Sequence, residues 1–460
     1  MISRDVLLAM LPEHLVLLGI VLVLCLEIAG HWQRASLVVA LVCVGAAAFA
    51  AARLSFDGYA AAPFAGQFSV DPAALVAKAM VLALALPVLL MSRDEFEGGE
   101  FPALLLSSLY GVCLLQSADS FLTLFLGLEI MSLPVYALVL LAYRRPQSAE
   151  AALKYLVLGG TATAMFLMGA SLLYGSGGSM AIDGFARGLG AADTLARAAV
   201  VLVILSFFLK AAIVPFHAWA PDAYEGASVP VTAYMATIIK AGVLLAVVRL
   251  FGDATLTSPM LGLLAVLPLV SIVWGNLAAM RQPSFRRMIA YSSIAHAGYL
   301  FYAMLGAPAG RLQAVAFYVL AYGVMNLLAF AALPAAADDR DRDRLDNLKG
   351  LFHRAPFAAL MIGIAMLSLA GIPPFPGFVA KFLVFKNVMA AGHVTYAVLG
   401  LLGSYLGIYF YLRVIQLMFM SPDASVADGK ARRMAMGASL GCLAAALLVS
   451  VFPGWVIAQF

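Results

Sequence analysis

Four lysines, Lys154, Lys210, Lys240 and Lys381, stand inside long apolar runs. Lys210 follows ARAAVVLVILSFFL and precedes AAIVPFHAW, and neither run holds an acid to neutralise it. An ammonium in hydrocarbon costs at least about 2.5–3.5 kcal/mol. A chain that accepts this cost several times uses the charges, and the chemistry open to an amine at that depth is taking up and releasing protons. Burial disfavours the charged form of a lysine, and an adjacent carboxylate favours it. Moving a glutamate toward or away from such a lysine is therefore a switch.

Glu129 is the acid placed for that role. It stands in SFLTLFLGLEIMSLPVYALVLLAY, with Ser132 on the same helical face and Pro134 loosening the next turn. Its own helix offers no cation, so its partner must come from another span. His296, in RRMIAYSSIAHAGYLFYAM, has Ser292 four residues before it and Tyr299 three after. Hydroxyls and an imidazole in one stripe can hold a file of water. His217, just past Pro215, can join a buried lysine to one membrane face. The plainer alternatives are a structural ion pair at Glu129, a satisfied core histidine at His296 and a helix-end histidine at His217. Glu27 and Lys78 are secondary candidates, and Arg413 reads as an inter-helix anchor. Asp222, Tyr224 and Glu225 fall in a polar loop, APDAYEGASVP.

The elements that position these groups must be membrane helices. Of 460 residues, 64% are hydrophobic and 11% charged, with a mean hydropathy of +0.99, whereas soluble domains carry about 25% charged residues. About fourteen runs suit spans of roughly 20 residues. They lie near 8–30, 35–52, 73–92, 101–117, 119–142, 153–174, 197–219, 229–250, 258–280, 286–306, 312–335, 357–388, 394–420 and 434–456. The first is read as a retained span rather than a signal peptide, and no room is left for a soluble domain. Cys25, Cys43, Cys113 and Cys442 all fall in apolar runs without metal-ligand spacing. Nothing suggests a nucleophilic triad, a metal or haem site, or nucleic-acid binding.

Loops alternate between arginine-rich and arginine-poor. The rich set includes Arg34, Arg93, Arg144, Arg145, Arg281, Arg286, Arg287, Arg340, Arg342, Arg344, Lys430, Arg432 and Arg433; the poor set includes Arg4, Arg53, Arg187, Arg197, Arg249 and Arg311. The positive-inside rule puts the rich set in the cytoplasm and both termini outside, which requires an even number of spans. The loop at 335–354 reads as solvated and cytoplasmic, and the glycine-rich GSGGSMAIDGFARGLG at 175–190 as flexible.

Two breaks echo each other. VPFHAWA (214–220) and PPFPGFV (373–379) both place Pro-Phe inside an apolar run, with Lys210 before one and Lys381 after the other. Pro215 removes the helical partner of the Ala211 carbonyl; Pro373, Pro374 and Pro376 do the same for Leu369, Ala370 and Ile372. Carbonyls freed inside a membrane must meet protein or water. Paired broken helices point to a repeat-built transporter with its ion site at the breaks.

The runs FFLKAAIVPFHAWAPDAYEGASVPVTAYMATIIKAG (207–242), LEIMSLPVYAL (128–138), RRMIAYSSIAHAGY (286–299) and LAGIPPFPGFVAKF (369–382) resemble the antiporter-like membrane subunits of respiratory complex I, the proton-pumping NADH:quinone oxidoreductase. Lys381 is similar to the lysine of the N and L branches, where the M branch has a glutamate. A chain ending soon after its last span favours N over L.

The resemblance implies an all-α polytopic membrane protein forming one integral domain over 1–460, with about 14 transmembrane helices. It implies two inverted repeats, about 101–250 and 258–420, each with a broken helix. The implied activity is proton translocation as a subunit of the oxidoreductase, a translocase, without redox catalysis in this chain. Glu129 would pair with Lys210, Lys240 would be the central relay and Lys381 would lead toward the exit. Lys154 would modulate the array, and His217 and His296 would lie along its hydrated axis. Flavin, iron–sulfur clusters and quinone are expected in partner subunits, with no cofactor or metal here. The expected partners are other complex I membrane subunits, especially neighbouring antiporter-like and small ones, and the lipid of a bacterial inner membrane. A sodium/proton antiporter subunit or a membrane-bound hydrogenase subunit of the same superfamily is the alternative.

Overall fold

A computed structural model describes residues 4–30, 33–93, 95–96, 98–142, 146–191, 193–254, 256, 258–334, 344–421 and 433–460. Arg4 has a described backbone only. Arg144, Arg145, Arg340, Arg342, Lys430 and Arg432, and residues 335–343 of the loop expected at 335–354, lie outside these residues; the rest of that loop holds two short helices, Leu345–Leu348 and Leu351–Arg354.

Among the described residues, eleven helices are long and apolar enough to cross a bilayer, and Glu100–Gln116 and Pro356–Ala370 are shorter apolar helices. Their starts follow from local chemistry. Asp71 accepts a 2.7 Å bond from the Ala74 N–H ahead of Pro72–Ser92, with Pro72 in the first turn where no N–H is needed. Ser120 and Ser284 cap Phe121–Leu140 and Phe285–Tyr302 in the same way. Large apolar side chains such as Ile28, Phe49, Phe56 and Tyr405 are exposed around the bundle. On a soluble protein so much exposed apolar surface would be a liability; on a multi-pass membrane protein it is the face offered to lipid.

Inside the bundle, small residues set how closely helices approach, because lipid supplies no hydrophobic drive between them. A Cβ on Gly111 would lie 2.2 Å from the Met131 N, and one on Gly275 would lie 2.7 Å from the Ala295 N and Tyr291 O. These contacts press Glu100–Gln116 onto Phe121–Leu140, and Ser258–Ala279 onto Phe285–Tyr302.

Two local expectations change, and a segment between spans has structure of its own. Residues 61–70 form a two-stranded hairpin, Ala61–Phe64 against Phe68–Val70, turning at Gly66 with φ +70°. The run at 175–190 is helical over Asp183–Gly190, where Arg187 bonds Asp183 one turn back. The polar stretch after Pro215 is also helical, Trp219–Gly226, because it resumes the broken helix. The cysteines are free, with Cys25 exposed and the other three buried, as small lipid- or core-facing residues would be.

Candidate functional site

Both breaks are built alike. Thr194–Ala211 ends in a left-handed residue, Ala212 (φ 62°), and Pro356–Ala370 ends in Gly371 (φ 85°). In each case the next N–H reaches back over the turn: Ile213 to the Phe208 carbonyl at 2.8 Å, Ile372 to the Leu367 carbonyl at 3.1 Å. This is the Schellman closure of a helix, which usually needs glycine because a Cβ crowds the carbonyl. Gly371 meets that need and also leaves room for Lys381, whose Nζ would be 3.1 Å from an added Cβ. Ala212 adopts the same conformation without glycine. The Val214–Pro215 and Pro373–Pro374 bonds are both cis.

The carbonyls freed by the breaks find partners. Lys381 Nζ donates to the Ala370 carbonyl at 2.9 Å and to Ser404 Oγ at 2.9 Å, and lies 5.3 Å from the centre of the Tyr299 ring. Ala370 is one of the carbonyls that the second proline cluster was expected to release. At the first break the outcome differs: Trp219 Nε1 donates to the Leu209 carbonyl at 2.9 Å, two residues before the carbonyl expected there. The left-handed turn at Ala212 redirects the chain before Pro215 can act on a regular helix.

Lys210 lies 3.6 Å from Glu129 and donates to Ser132 at 3.0 Å, so Glu129 and Ser132 face it from one side of their helix. Thr163 donates to the same carboxylate oxygen, Glu129 Oε1, at 2.5 Å. Lys240 is 6% exposed and follows a one-turn π-helix, Met235–Ile239, a local widening common at functional sites. It has no carboxylate partner among the described residues. Its Nζ donates to the Ser293 carbonyl at 2.5 Å and to the Ser293 hydroxyl, which in turn meets the Tyr224 hydroxyl at 3.2 Å.

His296 is buried in a cage of hydroxyls. Tyr318 is 2.8 Å from its Nδ1 and Tyr411 is 3.1 Å from its Nε2, while Ser292 meets Tyr411 at 2.5 Å. The Tyr322 ring stands 4.6 Å away. A void of about 10 Å³ is bounded by His296, Tyr318, Tyr322, Ser368, Gly377 and Ala380. One water needs on the order of 10–15 Å³, so the space between the histidine and the second break is water-sized. Tyr299 accepts from Asn276 at 3.1 Å.

Two expected site residues sit elsewhere. Lys154 is not a stranded charge: its side chain is 43% exposed and pairs with Glu150 at 2.6 Å and Asp222 at 2.7 Å. Its helix, Pro146–Gly177, begins only a few residues earlier, so the apolar run around Lys154 starts at a polar end. His217 accepts from Trp274 at 3.0 Å, and no hydrogen bond joins it to a lysine among the described residues. Lys78, a secondary candidate, pairs at 2.6 Å with Glu13, both fully buried. Arg413 donates to the Met280 carbonyl at 2.9 Å and anchors two helices.

Ser293, Tyr318, Tyr322, Tyr411, Ser404 and Glu13 were missed as site residues. Tyr318, Tyr322 and Asn326 recur every fourth residue along Pro308–Ala331, a polar stripe that helical periodicity exposes. Glu13 carries no such signal, since an acid in a first helical turn is ordinary. Among the described residues no three His, Cys, Asp or Glu side chains group as metal ligands would.

Comparison with known proteins fits this architecture. The family model described as NADH:quinone oxidoreductase/Mrp antiporter, TM matches residues 118–407, which span both breaks and all four lysines. The NADH-quinone oxidoreductase subunit N of Pelobacter propionicus is 39% identical over 453 residues, covering 97% of each chain. The chain belongs to the subunit N family. A chain of the structure titled respiratory complex I from Thermus thermophilus with bound aureothin superposes on this subunit N family member with a TM-score of 0.86. It shares 34% identity, covering 97% of this chain and 98% of that one. A chain of the Mrp complex from Dietzia shares the fold, with a TM-score of 0.83 at 23% identity, covering 98% of this chain and 96% of that one.

Proposed function

We propose that this chain is a proton-translocating subunit in the membrane arm of a bacterial NADH:quinone oxidoreductase, with redox chemistry carried by partner subunits. Lys240 carries the reading: a buried amine with no acid partner among the described residues, joined through Ser293 to Tyr224, with Ser293 three residues from His296 on Phe285–Tyr302. A permanent structural charge would need a counter-charge. An amine bonded only to a hydroxyl and a carbonyl can give up its proton and keep an acceptable hydrogen bond.

Protons pass along Glu129, Lys210, Lys240, His296 and Lys381, with His217 flanking the first break and Lys154 acting at the polar mouth. Each proton moved against 100 mV costs about 2.3 kcal/mol, and a shift of Glu129 against Lys210 supplies a bias of that order. The eleven long helices, the two shorter apolar ones and Phe285–Tyr302 make fourteen spans, arranged as inverted repeats over about 101–250 and 258–420. Both termini face the periplasm of the inner membrane, and neighbouring antiporter-like and small membrane subunits pack alongside.

Lys240→Ala in the intact complex tests the reading. NADH-driven acidification of inverted membrane vesicles is expected to collapse, with the complex still assembled. Wild-type acidification and quinone reduction in that variant would overturn it.

A further inference from the structure

The two breaks share one register. Asp222 stands six residues past the break's Phe216 (216 to 222), and Lys381 stands six past Phe375 (375 to 381). Asp222 thus holds, in the first broken helix, the place that Lys381 holds in the second, yet it faces a different environment. Its carboxylate accepts from Lys154 at 2.7 Å and from Arg287 at 2.9 Å. Arg287 also donates to Glu225 at 2.8 Å, and Lys154 also pairs with Glu150. Burial works against ionisation of Asp222, but the bonds from Lys154 and Arg287 outweigh it and hold the carboxyl below its ordinary range.

Asp222 and Glu225 are three apart and share one face of Trp219–Gly226. Arg287 ties that face to the first turn of Phe285–Tyr302, and Arg286 adds a bond to the Ala227 carbonyl. Tyr224 lies between the two acids and points another way, onto Ser293 of the same long helix. Ser293 is the residue that holds Lys240. The short helix is therefore fixed to Phe285–Tyr302 by charge on one side and supplies a hydroxyl to the lysine's hydrogen-bond partner on another.

We propose that Asp222 and Glu225 are positioning residues for proton transfer at Lys240: clamped by Arg287, with Lys154 as a second cation on Asp222, they set the Tyr224–Ser293–Lys240 contacts. The proposal rests on the proton-relay reading above. Neither acid carries the transported proton; the clamp keeps Tyr224 within reach of Ser293. Misplacement by about 1 Å at a reacting geometry costs up to about a hundredfold in rate.

The test uses the intact complex in inverted vesicles, following NADH-driven acidification and quinone reduction together. Asp222→Asn is expected to slow acidification about tenfold with an unchanged quinone KM, and Asp222→Glu, which restores the charge, is expected to recover most of it. Glu225→Gln, which leaves the Asp222–Lys154 pair intact, is expected to give a smaller loss and serves if Asp222→Asn does not assemble. Wild-type acidification in Asp222→Asn, or in Glu225→Gln should the first not assemble, overturns the proposal, as does a loss that Asp222→Glu fails to recover. Lys240→Ala, measured alongside, separates the two claims. If it abolishes pumping while the acid variants pump normally, only the clamp is wrong; if it pumps normally, the relay reading falls first.

Discussion

Glu13 and Lys78 form the most completely buried ion pair among the described residues, both side chains at 0% exposure and 2.6 Å apart. Among the described residues neither makes a well-directed hydrogen bond with any other group, although the Phe68 ring lies 4.9 Å from the ammonium. Such a pair has almost nothing to offset its lost hydration except mutual attraction. Removing one partner strands the other, which typically costs about 3–5 kcal/mol, whereas replacing both with apolar residues of similar volume is often neutral or stabilising. Lys78→Met alone and Glu13→Leu alone should therefore each destabilise the chain by about 4 kcal/mol, and the double variant should lie near wild type. Unfolding entropy of about 2.1 cal/mol/K per residue makes 4 kcal/mol roughly 4 °C for a chain of this length. The assay is thermal loss of this subunit from the detergent-solubilised complex, compared across the four variants of a double-mutant cycle. Additive effects, or single variants within about 1 °C of wild type, would show that the pair is hydrated or partnered otherwise and is not a dry ion pair.

Other consequences follow from the same contacts. Glu129→Gln removes the charge 3.6 Å from Lys210. A barrier change of about 1.4 kcal/mol is tenfold in rate, so proton pumping should slow at least about tenfold with assembly intact, as read by vesicle acidification. Tyr411→Phe deletes one hydroxyl that meets both Ser292 and His296; acidification should fall several-fold while the amount of assembled complex on native gels stays the same. Gly275→Ala drives a Cβ against the backbone of Tyr291 and Ala295. Such overpacking costs about 1–3 kcal/mol and should lower the dissociation temperature of the subunit measurably.

Much of the axis was readable because the membrane makes charge expensive. Glu129, Lys210, Lys240 and Lys381 stand out of apolar runs, and the prolines named the carbonyl that Lys381 takes at Ala370. What stayed hidden depends on contacts between distant segments. Glu13 meets Lys78 across two helices. Lys154 has one partner, Glu150, a turn back on its own helix where spacing could have shown it, and a second, Asp222, that arrives from another element. The Leu209 carbonyl is taken by Trp219 because Ala212 turns left-handed without glycine, which residue types do not announce. The hydroxyls around His296 come from three helices; the Ser292–His296–Tyr299 and Tyr318–Tyr322–Asn326 stripes had a periodic signature, whereas Tyr411 had none.

The measurement that bears most directly on the relay is a map of the intact complex at a resolution that shows ordered water. A hydrogen-bonded file is expected to join Ser293 and Lys240 to His296 and to pass through the water-sized void beside Tyr322 toward Lys381. A dry, closely packed apolar layer between Lys240 and Lys381, with both amines locked to their present partners in every state of turnover, would contradict it.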